Sequence, residues 1–211
     1  MRTTLLTLLV VLVFAVAGGL AFIYSGVYNI SATRPHWPIT EWAIETMRSN
    51  SIKAHASGIT LPPGMTDEAA VISGTEHFAA HCASCHGAPG VPRGDIANGL
   101  YPKPPDLAHA ARHYTPGELF WIVKNGIKMT GMPAWNDHSD KELWATVAFL
   151  QKLPGMSEAD YAKLVRESMT HGSGQHHHGG KDAPNADSMP QDNHSGMPGM
   201  TAPETSGGHR H

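Results

Sequence analysis

The chain's two cysteines stand three positions apart with a histidine directly behind them, in Cys82-Ala83-Ser84-Cys85-His86. No other feature limits the fold as much. A pair this close cannot staple distant segments, and two cysteines are too few for a closed cysteine-rich zinc site. Their use is therefore local and chemical. The C-x-x-C-H spacing is that of covalent haem attachment. The two sulfurs meet the two vinyl groups as thioethers, and the chain, having crossed the edge of the macrocycle, delivers His86 beneath the iron as proximal ligand. The competing readings are a thioredoxin-like redox pair, expected near a β-α-β pattern that is missing here, and half of a zinc site, which needs further ligands at suitable spacing.

Covalent haem attachment belongs to exported chains, and the N-terminus agrees. After Met1-Arg2-Thr3-Thr4, an apolar run without charge extends from Leu5 to Tyr24, the length that crosses a bilayer as one helix. Arg2 lies before the run, so the positive-inside bias keeps the N-terminus in the cytoplasm and sends everything after about Val27 across. Ala15-Val16-Ala17 resembles a cleavage site, and a removed signal peptide is the rival reading. The run continues through Leu20-Ala21-Phe22-Ile23, which favours an anchor. Either way the chain is exported. A formal charge of -3 gives no basic field of the kind that draws a protein to nucleic acid.

The chain divides into an anchor or signal segment (1–28), a periplasmic linker (29–66), a haem domain (67–168) and a tail (169–211). In the linker, Pro38 and Thr40 open an amphipathic helix with Ile39, Trp42, Ala43 and Met47 on one face, closed by His55-Ala56-Ser57-Gly58. That stripe either packs on the main domain or docks a membrane partner. From Asp67 the pattern is that of a small α protein. Val71, Gly74, Phe78 and Cys82 recur at helical spacing. The proline-rich stretch from Gly87 to about Asp106 excludes regular helix. Thr115-Pro116-Gly117-Glu118 opens a helix ending at Asn125-Gly126. Ser139 and Glu142 have the spacing of a capping box for a last helix with Leu143, Val147 and Leu150 on one stripe, stopped by Pro154-Gly155. A short helix over Glu158 to Ser168 follows. No alternating segment of useful length occurs, so no substantial sheet is expected.

The iron's sixth ligand should come from a distant stretch, and Gly131-Met132-Pro133-Ala134-Trp135 supplies it. Pro133 holds the residue before it extended, so Met132 is preferred over Met129 three positions earlier. Polar, Gly-punctuated surroundings argue against both methionines being core filler. His/Met ligation raises the potential and leaves no open iron position, favouring electron transfer over oxygen or peroxide chemistry.

The stretch from about Val71 to Leu153 resembles a bacterial class I cytochrome c. Gly74 and Phe78, eight and four residues before Cys82, fall where that family's N-terminal helix crosses its C-terminal one, on which Trp144, Val147 and Phe149 would lie. The segments from Leu100-Tyr101-Pro102 to Pro105-Asp106-Leu107, and from Glu118 to Trp135, are similar to membrane-anchored relatives. The resemblance implies an all-α class I cytochrome c fold, three to five helices around one covalently bound haem c, with an N-terminal transmembrane helix and a disordered tail. It also implies that a proline of the loop after the haem motif offers its carbonyl to His86. Pro89, Pro92 and Pro102 are the candidates. The implied role is that of a single-electron carrier between a dehydrogenase or quinol-oxidising complex and an oxidase or other cytochrome.

Fifteen histidines raise a second question. His77 and His81 read as surface or satisfied residues, while His36, His55, His109, His113 and His138 have no partner motif. In the tail, His176, His177 and His178 alternate with methionines that include Met197 and Met200. Imidazole and thioether donors suit copper, against a reading as solvated linker. A periplasmic copper-handling protein with a haem redox centre is thus the alternative function, and a peroxidase-like enzyme is disfavoured by Met132.

Overall fold

A computed structural model of the chain describes residues 1–172. The tail histidines 176–178 and Met197 and Met200 lie outside the described residues. Its first element, α1 (Arg2–Ser25), is 24 residues long and buries no residue against the rest of the protein. At 1.5 Å per residue it measures roughly 36 Å, enough to cross a hydrocarbon core of about 30 Å. An apolar surface this large and uncovered is stable only against lipid or the export machinery.

Pro38 takes the first turn of α2 (Pro38–Ala56), where its missing N–H costs nothing. The face of Ile39, Trp42, Ala43 and Met47 does not pack on the domain. Ile39, Trp42 and Met47 are each more than 60% exposed, and burial is confined to Ile52 and Ala56 at the helix end, where α2 meets α7 (Pro116–Asn125). The approach is close: a Cβ on Gly117, in the first turn of α7, would collide with the carbonyl of Ile59.

The core is a crossed helix pair. α3 (Glu68–His81) and α8 (Asp140–Lys152) make the most extensive contact of any two elements. At the crossing, a Cβ on Gly74 would run into the carbonyl of Ala145, so hydrogen alone fits there. Phe78 packs on Phe149 with ring centroids 4.8 Å apart. Trp144 turns the other way and stacks on Phe120 of α7, at 4.3 Å and 13°. The expected stripe on α8 is therefore only part of its contact: every residue from Leu143 to Leu150 is buried, because α3 and α7 both pack on it. α9 (Glu158–Gly172), longer than the sequence pattern indicates, packs on α3, and its Tyr161 lies 6.3 Å from Phe78 and 6.1 Å from Phe149.

Between α3 and α7 run three single-turn helices, α4 (Ala83–His86), α5 (Asp95–Asn98) and α6 (Leu107–Ala110), and a 3-10 turn (Ala111–His113). The helical turn α5 corrects the expectation that the whole Gly87–Asp106 stretch is irregular. It forms where prolines are absent, between Arg93 and Leu100. No strand occurs among the described residues, only an isolated bridge between Ala88 and Val91.

Candidate haem site

The attachment pentapeptide is a continuation of α3. Cys82 N–H donates to the Phe78 carbonyl at 2.9 Å, and the N–H groups of Cys85 and His86 donate to the Cys82 carbonyl at 3.1 and 2.9 Å. Both thiols and the imidazole are thereby held within one helical turn, on the end of the helix that Gly74 and Phe78 fix to α8. Gly87, at φ 74, breaks the turn. The chain then doubles back through Ala88–Val91, and Gly94 N–H closes onto the Ser84 carbonyl at 2.8 Å. The side chain of Arg93 reaches back to donate to the His86 carbonyl at 3.3 Å.

His86 is oriented by a single bond. Its Nδ1 lies 2.9 Å from the carbonyl of Pro105. A carbonyl only accepts, so Nδ1 carries the proton and Nε2 keeps its lone pair for a metal. The proline is none of Pro89, Pro92 or Pro102. The loop brings the last proline of the Tyr101–Pro105 run to the imidazole, 19 residues on in the chain. Burial lowers the His86 pKa, the Pro105 bond raises it in part, and Arg93 lowers it further, leaving it below the usual histidine value. The ring is therefore neutral at neutral pH and able to ligate. Cys82 and Cys85 are not joined as a disulfide, and burial, with the neighbouring Cys85, pushes the Cys82 thiol up to about 12. Reactive Cys-x-x-Cys pairs carry a lowered thiol pKa, the opposite of the shift at Cys82, and no strand for a thioredoxin-like setting occurs among the described residues.

Met132 lies on the loop between α7 and α8, half-buried against the same hydrophobic core as Cys82, Ala88 and Leu107. Gly126 starts that loop at φ 64, and a Cβ there would come within 2.6 Å of the Pro133 carbonyl. Ile127 N–H donates to the Met132 carbonyl at 3.2 Å. Trp135 N–H returns to the Lys124 carbonyl at 3.1 Å. Met132 N–H donates to Thr130 Oγ1 at 3.1 Å, so the loop is pinned on both sides of the methionine. Met129 by contrast sits at φ 60 with its side chain 70% exposed. The sequence treated His77, His81 and His138 as unrelated; the structure gathers them around Trp135.

The residues present fit a haem. A neutral proximal imidazole has its lone pair free, two thiols stand one turn apart beside it, and a pinned thioether packs on the same apolar core. A crossed helix pair carrying the attachment pentapeptide at the end of one member defines a c-type cytochrome domain, a module that transfers electrons through haem c. Residues 69–150, less than half of the chain, match the family model described as cytochrome c oxidase, cbb3-type, subunit III. The match takes in the pentapeptide, the Met132 loop and most of α8, and leaves out α1, α2 and α9. No curated protein matches the chain.

Proposed function

We propose that the protein is a monohaem electron carrier tethered by α1 to the inner membrane, with its haem domain in the periplasm. Cys82 and Cys85 would hold the haem covalently, and His86 and Met132 would supply the two protein ligands to its iron. The observation that carries the reading is the His86–Pro105 bond at 2.9 Å, which fixes the proximal tautomer at the end of the attachment turn. A haem bound there supplies a one-electron iron couple. The chain's own contribution is to hold both axial donors rigidly, through the α3 helical turn on one side and the Gly126–Trp135 loop on the other. Little reorganisation of the ligands is then needed on gain or loss of an electron. With His86 and Met132 both holding the iron, no position on it would be left for a substrate. Electrons pass between redox proteins, from a dehydrogenase or quinol-oxidising complex to an oxidase or another cytochrome.

The test is an absorption spectrum of the oxidised and reduced protein, matured in a cytochrome c maturation host, beside Met132→Ala. A covalent c-type spectrum whose weak long-wavelength band, the mark of methionine on ferric iron, disappears in the variant supports the reading. A band that is absent from the wild type, or that survives the substitution, overturns the assignment of Met132.

A further inference from the structure

His77 and His81 stand four residues apart on α3, so successive helical turns place them on one face. His138 approaches that face from the turn before α8, where its N–H closes onto the Trp135 carbonyl at 3.3 Å. One ligand nitrogen from each ring lies within 4.8 Å of the other two. The ring centroids are 4.7 Å apart for His77 and His81, 4.8 Å for His77 and His138, and 5.7 Å for His81 and His138. The indole of Trp135 touches all three, at 5.7, 5.0 and 5.3 Å respectively from His77, His81 and His138, and forms an apolar wall.

Three details separate this cluster from a chance meeting of surface histidines. His77 Nε2 is shut off from solvent and has no hydrogen-bond partner, a condition that buried polar atoms avoid unless something else satisfies them. His138 Nδ1 lies 3.0 Å from a carboxylate oxygen of Asp137, the carboxylate–histidine pairing that orients a ligating ring and leaves Nε2 to the metal. The His77 pKa is lowered to about 4, by burial first and then by His81 and His138, so its ring keeps a lone pair at any ordinary pH. Glu142 and Glu76 add negative charge beside His77, and His81 is exposed.

We propose that His77, His81 and His138 form a second metal site, separate from the haem, that binds one divalent first-row cation, Zn2+ or Cu2+, through three imidazole nitrogens. Neutral imidazole donors select these ions over the oxygen-seeking Ca2+ and Mg2+. Metal–nitrogen bonds of about 2.0–2.1 Å put tetrahedral ligand atoms roughly 3.4 Å apart. Closure from separations of up to 4.8 Å therefore requires a contraction of up to about 1.4 Å, shared among the three rings. Three protein ligands leave a fourth position open. His81 directly precedes Cys82, and His138 follows Met132 by six residues, so the cation ties the segment carrying the attachment cysteines to the loop carrying Met132.

The test is equilibrium dialysis of the full-length haem-loaded protein in detergent against Zn2+ alone and against Cu2+ alone. A full-length background variant, in which the seven histidines from His171 onward are changed to Asn, removes the tail's contribution. In that background one equivalent of either cation should bind. His81→Asn, at an exposed position, should weaken it at least ~10-fold, and Asp137→Asn, which touches no metal, by roughly 10-fold. The haem spectrum should be unchanged in both. Zn2+ should raise the thermal midpoint of the background protein and leave that of His81→Asn where it was. Absence of a bound equivalent in the background protein, or equal affinity in the background protein, His81→Asn and His138→Asn, overturns the proposal.

Discussion

At residue scale, Cys82, Cys85 and His86 stand out in the sequence because the chemistry proposed for them demands contiguity. Pro105 does not, since a contact across 19 residues is decided by how the loop folds. The two methionines show what local sequence does carry: Pro133 marks Met132, and the structure adds that Met129 is exposed at φ 60. Met129→Gly should therefore keep the long-wavelength band that Met132→Ala loses. Relief of a left-handed backbone, partly offset by glycine's entropy, should raise stability by up to about 1 kcal/mol in chemical denaturation. A second residue-scale prediction concerns pH. The folded-state pKa of His77, about 4, lies below the usual histidine value of 6.5. Between those values the unfolded chain takes up a proton that the folded protein refuses. Metal-free protein should thus lose stability as pH falls from about 6.5 towards 4, with no contribution from this group above that window. The groups facing His77 are His81 and Glu76 on its own helix and His138 and Glu142 from the opposite side. His77→Gln should flatten the acid limb of the stability profile measured by urea titration; an unchanged slope would assign that limb to other groups.

At element scale, helix ends were the most readable feature. Thr115 with Glu118, and Ser139 with Glu142, both form complete capping boxes, because a cap is a contract between residues three apart. Replacing Thr115 by Ala should cost about 1 kcal/mol, read as a lower denaturant midpoint with an unchanged haem spectrum. The face of a helix is harder to read than its ends. The apolar stripe of α2 left packing on the domain and docking of a partner both open, because periodicity says only that one side differs from the other, not what covers it. The burial of α8 all round was equally hidden, since Ala145, Thr146 and Ala148 carry no strong apolar signal and are buried because α3 and α7 both press on the helix. Gly74 was legible through its family position, and its physical reason is the carbonyl of Ala145. Gly74→Ala should force α3 and α8 apart and destabilise the domain by about 1–3 kcal/mol or more. Because α3 presents Cys82, the variant should also mature with less covalent haem per chain, measured as the ratio of haem to polypeptide absorbance.

At the scale of the whole molecule, the question is how the helical domain is held relative to the long apolar helix α1. Phe22, near the C-terminal end of α1, packs against Tyr28 and Trp37, with centroids 6.5 and 5.9 Å away. Aromatic rings of this kind suit the membrane interface. Tyr28 is bonded through its hydroxyl to His36 Nδ1 at 2.6 Å, and the backbone N–H of His36 donates to the hydroxyl of Tyr101 at 2.9 Å. Tyr101 stands in the loop that ends at Pro105, the partner of His86, so one short stretch of chain serves both the contact with the segment after α1 and the orientation of His86. Nothing local announces a pairing across 65 residues. Tyr101→Phe removes only the hydroxyl, and with it a hydrogen bond worth about 1 kcal/mol, which corresponds to about fivefold more of the opened arrangement. Hydrogen exchange of the His36 amide in lipid nanodiscs should quicken by about that factor, while the haem spectrum stays as in the wild type. Unchanged exchange would mean that the aromatic cluster alone holds the domain at the membrane. A spectrum altered together with faster exchange would mean that the Tyr101–Pro105 stretch transmits the position of the anchor to His86.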